Sequence, residues 1–135
     1  MILVAITTGC ILIGSQALNC YSCTDQMTAT NSGYKIESNC KDEHLVPCDE
    51  GSDRCVARIM ILSELKDDGG YTVTDSMRRL CAKSAELDDS YAEYCSEVET
   101  IYKLEPVEGV TVSVECEEII CETDACNDVG HDWYN

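Results

Sequence analysis

The chain is predicted to fold as a small, disulfide-rich all-β domain in which three β-hairpins extend from one cystine cluster. Three observations predict this fold class. Ten of the eleven cysteines lie between residues 20 and 126. The segments between them alternate strand-like runs with turn sequences rich in Gly, Asn and Asp. The chain has no Phe and one Trp, so disulfides are expected to supply much of the stability of a small core.

The first hairpin is predicted between Cys23 and Cys40. Thr30-Asn31-Ser32-Gly33 is a turn sequence, and the residues 34–37 that follow it alternate between apolar and polar. The next segment, from Cys40 to Cys55, contains Pro47 and several acidic residues. It is interpreted as a connection that crosses the cysteine cluster.

The second hairpin, between Cys55 and Cys81, is the clearest one. Residues 56–62 form an apolar run rich in β-branched side chains, and residues 71–74 form a second strand-like run. Between them, Asp68-Gly69-Gly70 supplies residues that tolerate the positive φ of a tight hairpin turn.

The third hairpin is predicted between Cys95 and Cys116. Residues 98–104 are assigned to its first strand, residues 105–109 to its turn, and residues 110–114 to its second strand, which alternates strictly. The preceding segment, residues 82–94, lacks β-branched side chains. It is predicted to form either a short helix or an acidic loop.

Residues 1–17 are predicted to be a secretory signal peptide. They contain an apolar run without charged side chains, and Ser15-Gln16-Ala17 offers small residues for cleavage after Ala17. The segment lacks the usual Lys or Arg before its apolar run. Cleavage removes Cys10 and leaves ten cysteines, an even set suited to five disulfides in an oxidising compartment. The mature protein is therefore expected to be secreted and extracellular.

The rest of the chain is interpreted as one domain, residues 18–127, followed by a short polar tail, residues 128–135. After the signal peptide, no apolar stretch is long enough to span a bilayer. The tail lacks the hydrophobic end of a lipid-anchor signal. Neither a membrane span nor a lipid anchor is expected.

The chain carries 26 acidic and nine basic residues, for a formal net charge of −17. All of these residues follow the predicted signal peptide. This charge opposes binding to nucleic acid and to anionic membranes, because like charges repel. It favours a partner with a basic surface, or it serves solubility alone.

Residues 18–127 resemble the lymphocyte-antigen-6/urokinase-receptor family of three-finger domains. The resemblance rests on Leu18-Asn19-Cys20-Tyr21-Ser22-Cys23 at the start, on Cys121 followed by Cys126-Asn127 at the end, and on the order of the ten cysteines. It implies a non-enzymatic binding module that presents its finger tips and one sheet face to a receptor, a channel or another protein.

Ten cysteines permit many pairings, and the residues alone do not choose among them. The resemblance implies the pairs Cys20–Cys55, Cys23–Cys40, Cys48–Cys81, Cys95–Cys116 and Cys121–Cys126. It also implies a structural role for Asn127, which ties the end of the domain to the finger bases. The chain departs from the family pattern in the four residues between Cys116 and Cys121, and in the long segment from Cys81 to Cys95. These departures leave the third finger and the last two bridges open.

No sequence pattern typical of an enzyme or of a bound cofactor is present. The two histidines, His44 and His131, are predicted to be exposed surface residues. Zinc is not expected, because the histidines lie far from Cys20 and Cys23. The paired carboxylates predict at most weak calcium binding, since none has the spacing of an EF-hand loop.

The tip of the second finger is the candidate partner contact, and it comprises Lys66, Asp67, Asp68, Gly69, Gly70 and Tyr71. Loop tips on rigid scaffolds often carry function, although the alternative is an ordinary hairpin turn. The two aspartates argue against the acetylcholine mimicry of three-finger neurotoxins, which needs a cation at this tip.

Two functional hypotheses follow. In the first, the protein binds and modulates an extracellular receptor, channel or other protein, and an acidic module of this kind is drawn to a basic surface. In the second, it is an acidic secretion component that binds cations or secreted matrix without a specific receptor.

Overall fold

The computed structural model describes residues 18–128. The predicted signal peptide, including Cys10, and residues 129–135 of the predicted tail, including His131, lie outside this range. In chain order, the strands are β1 (Asn19–Tyr21), β2 (Cys23–Thr30), β3 (Gly33–Ser38), β4 (Leu45–Pro47), β5 (Arg54–Lys66), β6 (Tyr71–Ala82) and β7 (Val110–Cys121). A helix, α1 (Ser90–Leu104), precedes β7, and short 3-10 turns occupy Asp42–His44 and Ser84–Glu86. Within the described residues, neither α1 nor the 3-10 turns has the length and apolar character needed to cross a membrane.

The strands form two antiparallel sheets. β1 pairs with β4, and a five-stranded sheet has the order β3-β2-β6-β5-β7. The first two predicted hairpins are confirmed, since β2 pairs with β3 around residues 31–32 and β5 pairs with β6 around residues 67–70. The fold is therefore small, disulfide-rich and mainly β.

The predicted third hairpin is wrong in its first strand, because residues 98–104 form the second half of α1. The half-buried residues of this helix are Tyr91, Cys95, Val98 and Tyr102, which have the spacing of one helical face. An ion pair of 2.8 Å between Lys103 Nζ and Glu99 Oε1, four residues apart, supports the helix. The helical period thus outweighs the β-branched side chains of this segment. The segment 82–94 contains both a 3-10 turn and the start of α1.

Five disulfides hold the sheet together, and they are the pairs that the resemblance implies: Cys20–Cys55, Cys23–Cys40, Cys48–Cys81, Cys95–Cys116 and Cys121–Cys126. Three of these bridges form one core cluster at the base of the sheet, with Leu18 packed against it. Cys23–Cys40 closes the β2–β3 hairpin, and Cys95–Cys116 joins α1 to β7. A second, apolar cluster of Ala57, Ile59 and Met77 lies higher on β5 and β6.

The two ends of the described segment meet at the base of the sheet. The Ala125 backbone N–H donates to the Asn19 carbonyl at 2.8 Å, and the Asn19 N–H donates to Asp124 Oδ1 at 2.9 Å. Asn127 is fully buried and bonds to the backbone of β1 and β5. The Asn127 carbonyl accepts a hydrogen bond from Arg79 Nε at 3.0 Å, and Arg79 also forms a buried ion pair with Asp25.

Candidate functional site

Three loops meet at the end of the five-stranded sheet opposite the cystine cluster. They are the β2–β3 turn, the β5–β6 turn and the loop from α1 to β7. The segments 31–34, 65–71 and 104–109 are called the tip surface below. All six residues of the predicted contact lie within it.

The second turn is stabilised by its own hydrogen bonds. Lys66 N–H donates to the Gly70 carbonyl at 2.7 Å, and Gly69 N–H donates to the Lys66 carbonyl at 3.0 Å. Gly69 has φ of 86°, a left-handed conformation that glycine adopts without a steric cost. The Asp68 carboxylate accepts a hydrogen bond from Gly70 N–H at 2.8 Å, so one of the two predicted contact acids also stabilises the turn.

Hydrogen bonds join the second turn to both neighbouring loops. Asn31 of the first loop donates through Nδ2 to the Gly69 carbonyl at 3.2 Å, and its Oδ1 accepts from Tyr71 N–H at 2.8 Å. On the other side, Asp67 N–H donates to the Gly109 carbonyl at 2.8 Å. Three loops that are distant in sequence therefore present one continuous surface.

Several large apolar side chains are exposed on the tip surface. The exposed fractions are 73% for Tyr34, 56% for Leu65, 39% for Tyr71, 76% for Leu104 and 65% for Val107. Leu65 and Tyr71 lie directly opposite each other on β5 and β6. Neighbouring exposed apolar side chains, such as Leu65 and Tyr71, mark interaction sites more often than scattered ones do.

The tip surface is also acidic. Its segments carry four exposed carboxylates, Asp67, Asp68, Glu105 and Glu108, and one lysine, Lys66. A partner with basic side chains therefore complements this end of the molecule better than an acidic one.

A concave feature lies on the sheet face next to the start of α1. It is a groove of about 640 Å³, with Met60 and Ser76 among its floor residues and Tyr91 and Tyr94 on its helical wall. The two tyrosine rings stack, with their centroids 6.4 Å apart. The arginines of the groove are Arg58 on β5 and Arg78 on β6.

Tyr91 fixes the helical wall of the groove to the sheet. Its hydroxyl donates to the Ile59 carbonyl at 2.7 Å, and the Arg58 guanidinium lies 5.3 Å from the centre of its ring. Burial raises the pKa of Tyr91 to about 12, a shift that the nearby positive charge of Arg58 partly offsets. The hydroxyl therefore remains protonated and able to donate at neutral pH.

The remaining residues considered for catalysis or metal binding, His44 and the cysteines, make structural contacts. The predicted exposure of His44 is wrong, because the residue is half-buried and its Nδ1 accepts from Lys41 N–H at 3.0 Å. Among residues 18–128, one group of three potential metal ligands is found, namely Cys20, Cys48 and Cys81. All three sulfurs are already in disulfides.

Sequence reasoning located the second turn but missed the neighbouring loops and the groove. Asn31 and Gly109 resemble ordinary turn residues in the sequence, and nothing local shows that they bond to the second turn. The groove depends on strand register and on a helix that was predicted to be a strand. No protein-family model, no curated protein and no solved structure matches this chain.

Proposed function

We propose that the protein is a secreted, non-enzymatic three-finger module of the lymphocyte-antigen-6/urokinase-receptor type, which binds and modulates an extracellular protein through its tip surface. The observation that carries this proposal is the hydrogen bonding of three loops into one exposed end that is both apolar and acidic. Five disulfides, together with the predicted signal peptide, support the extracellular compartment.

The hydrogen bonds between the loops favour binding because they order the surface in advance. Association normally costs free energy for immobilising loops and side chains, and a loop that is already ordered loses less. The bonds of Asn31 to the second turn, and of Asp67 to Gly109, provide this order. Burying a large apolar side chain such as Leu104 or Val107 contributes roughly 1.5–3 kcal/mol.

Charge selects the partner. The net charge of −17 and the four carboxylates of the tip surface attract a basic surface and repel an acidic one. Complementary charges at a rim mainly raise the association rate, and salt screens them. The proposed partner is therefore an extracellular protein with a basic patch around an apolar centre.

The proposal is tested by screening the purified protein against secreted proteins and receptor ectodomains by surface plasmon resonance. The tip variant is Leu104→Ser with Val107→Ser, and the control is Leu45→Ser, which changes an exposed leucine at the base of the sheet. We expect saturable binding that the tip variant weakens at least about tenfold, and that the control leaves unchanged. Raising the salt concentration should slow association.

Two results oppose the proposal. If a partner binds the tip variant as tightly as the unmodified protein, the contact lies elsewhere. If no partner binds saturably while calcium binds in the millimolar range, the acidic secretion component is favoured instead. The net charge of −17 is the observation that supports this second function.

A further inference from the structure

Two arginines lie side by side on the face of the sheet that carries the groove. Arg58 on β5 pairs in register with Arg78 on β6 and, on its other side, with Glu118 on β7. Like charges that lie directly opposite each other on neighbouring strands destabilise a sheet. Such an arrangement needs compensating negative charge.

Only one of the two arginines is compensated within residues 18–128. Arg58 Nε lies 2.7 Å from Glu118 Oε2, and its guanidinium packs over the ring of Tyr91. Arg78 is exposed and forms no ion pair with any described residue, although the chain has 26 acidic residues. The guanidinium donors of Arg78 therefore have no carboxylate partner at the groove.

The surroundings of Arg78 are concave and combine apolar with polar side chains. The groove brings Met60 of the sheet together with the stacked rings of Tyr91 and Tyr94, and Tyr94 is 53% exposed. Its volume of about 640 Å³ lies within the range of roughly 300–1,000 Å³ that is typical of small-molecule sites. Gln26 and Ser76 add neutral polar groups.

We propose that this groove binds a small amphiphilic anion, with its carboxylate on Arg78 and its apolar body against Met60 and the ring of Tyr94. A guanidinium binds a carboxylate through two parallel hydrogen bonds, which fixes the orientation of the ligand. The carboxylates in or beside the groove already have partners, since Asp25 pairs with Arg79, Glu37 with Lys35 and Glu118 with Arg58. Their negative charges oppose a second anionic group on the ligand. The ligand class is thus a fatty or aromatic monocarboxylate. This site is separate from the tip surface and does not depend on the proposed function.

The net charge of the protein makes the test selective. A chain of net charge −17 repels anions in general, so saturable binding of an anion points to a local cationic site. The probe is 1-anilinonaphthalene-8-sulfonate, an aromatic anion whose fluorescence rises in apolar surroundings. Bound probe is displaced with dodecanoate, below its micelle concentration, and with the uncharged dodecanol.

We expect dodecanoate to displace the probe at a concentration about ten- to one-hundredfold lower than dodecanol does, because only dodecanoate makes the charge-assisted hydrogen bonds. Arg78→Gln should remove this difference. The matched control is Lys83→Gln, which removes one exposed cation outside the groove and should preserve the difference. Tyr94→Ala should weaken both competitors alike.

The proposal is overturned if the probe does not bind saturably, or if dodecanoate and dodecanol compete equally on the unmodified protein. It is also overturned if Arg78→Gln and Lys83→Gln behave alike. The comparison of the two competitors needs no variant, so misfolding of Arg78→Gln would not leave the question open.

Discussion

Asn127 and Tyr21 exchange two hydrogen bonds across 106 positions of the chain. Asn127 Oδ1 accepts from Tyr21 N–H at 3.0 Å, and Asn127 Nδ2 donates to the Tyr21 carbonyl at 2.9 Å. The same Nδ2 also donates to the Val56 carbonyl at 3.1 Å. One buried side chain therefore satisfies backbone groups of both β1 and β5.

Replacing Asn127 by Ala should lower the free energy of unfolding by about 3 kcal/mol, since it leaves buried backbone groups without partners. The measurement is guanidinium unfolding with the disulfides intact. Asn39→Ala is the matched control, because Asn39 accepts one hydrogen bond from Thr24 N–H at an exposed position and should cost about 1 kcal/mol. Equal losses in the two variants would show that burial of Asn127 has no special effect.

The buried ion pair between Arg79 and Asp25 should be sensitive to loss of one partner. Asp25→Ala leaves a buried guanidinium without its carboxylate, and we expect a loss of about 3–5 kcal/mol in the free energy of unfolding. The exposed pair of Lys35 and Glu37 is the comparison, and Glu37→Ala should cost far less stability, because solvent screens an exposed ion pair. A small loss for Asp25→Ala would mean that water reaches Arg79 in the folded protein.

The disulfide Cys95–Cys116 should hold α1 against the sheet. No residue of α1 is fully buried, so packing alone anchors the helix weakly. In the double variant Cys95→Ala with Cys116→Ala, amide hydrogen exchange should accelerate in α1 and remain slow in β5 and β6. The stability loss should be about 3 kcal/mol, because the bridge closes a loop of 21 residues. As a control, removing Cys23–Cys40 should accelerate exchange in the β2–β3 hairpin instead. If exchange in α1 stays unchanged in the Cys95→Ala, Cys116→Ala variant, the contacts of Tyr91 are enough to anchor the helix.

The raised pKa of Tyr91 predicts a loss of stability at alkaline pH. The folded state holds this proton up to a pKa of about 12, whereas an unfolded tyrosine releases it near pH 10. The stabilising contribution is therefore fully present below pH 10 and declines as the pH rises from 10 towards 12. Denaturant unfolding from pH 8 to 11 should show a steeper decline for the unmodified protein than for Tyr91→Phe. If stability declined equally with pH in both proteins, Tyr91 would not be the group responsible for the decline.

The first two hairpins could be predicted because their turns carry a local signal. Asn31-Ser32-Gly33 and Asp68-Gly69-Gly70 are sequences that favour tight turns, and the runs on either side of them have strand-like composition. The third could not, because residues 98–104 combine β-branched side chains with a helical spacing that extends back to Tyr91. Sequence alone also left the cystine pairing open, and the pairs were suggested only by the family resemblance.

The candidate sites, too, could be predicted only where a local sequence signal exists. The second turn was identified because it is a loop tip, but its bonds to Asn31 and Gly109 depend on how the strands align across the sheet. The groove likewise requires Arg58 and Arg78, which are 20 positions apart, to become neighbours. Which residues pair across strands depends on the whole fold, so no local sequence pattern predicts it.

The closeness of Asn19 and Ala125 determines where a label or a fused domain can be attached to the protein. Their hydrogen bond brings both ends of the described segment to the base, at the far end of the sheet from the tip surface. A fluorophore, an affinity tag or a second domain joined beside residue 18 or residue 128 therefore starts away from the loops. A short linker between these two positions gives a natural route to a circular permutant. New termini opened at Asn31 or Gly109, by contrast, would cut the joined loops apart.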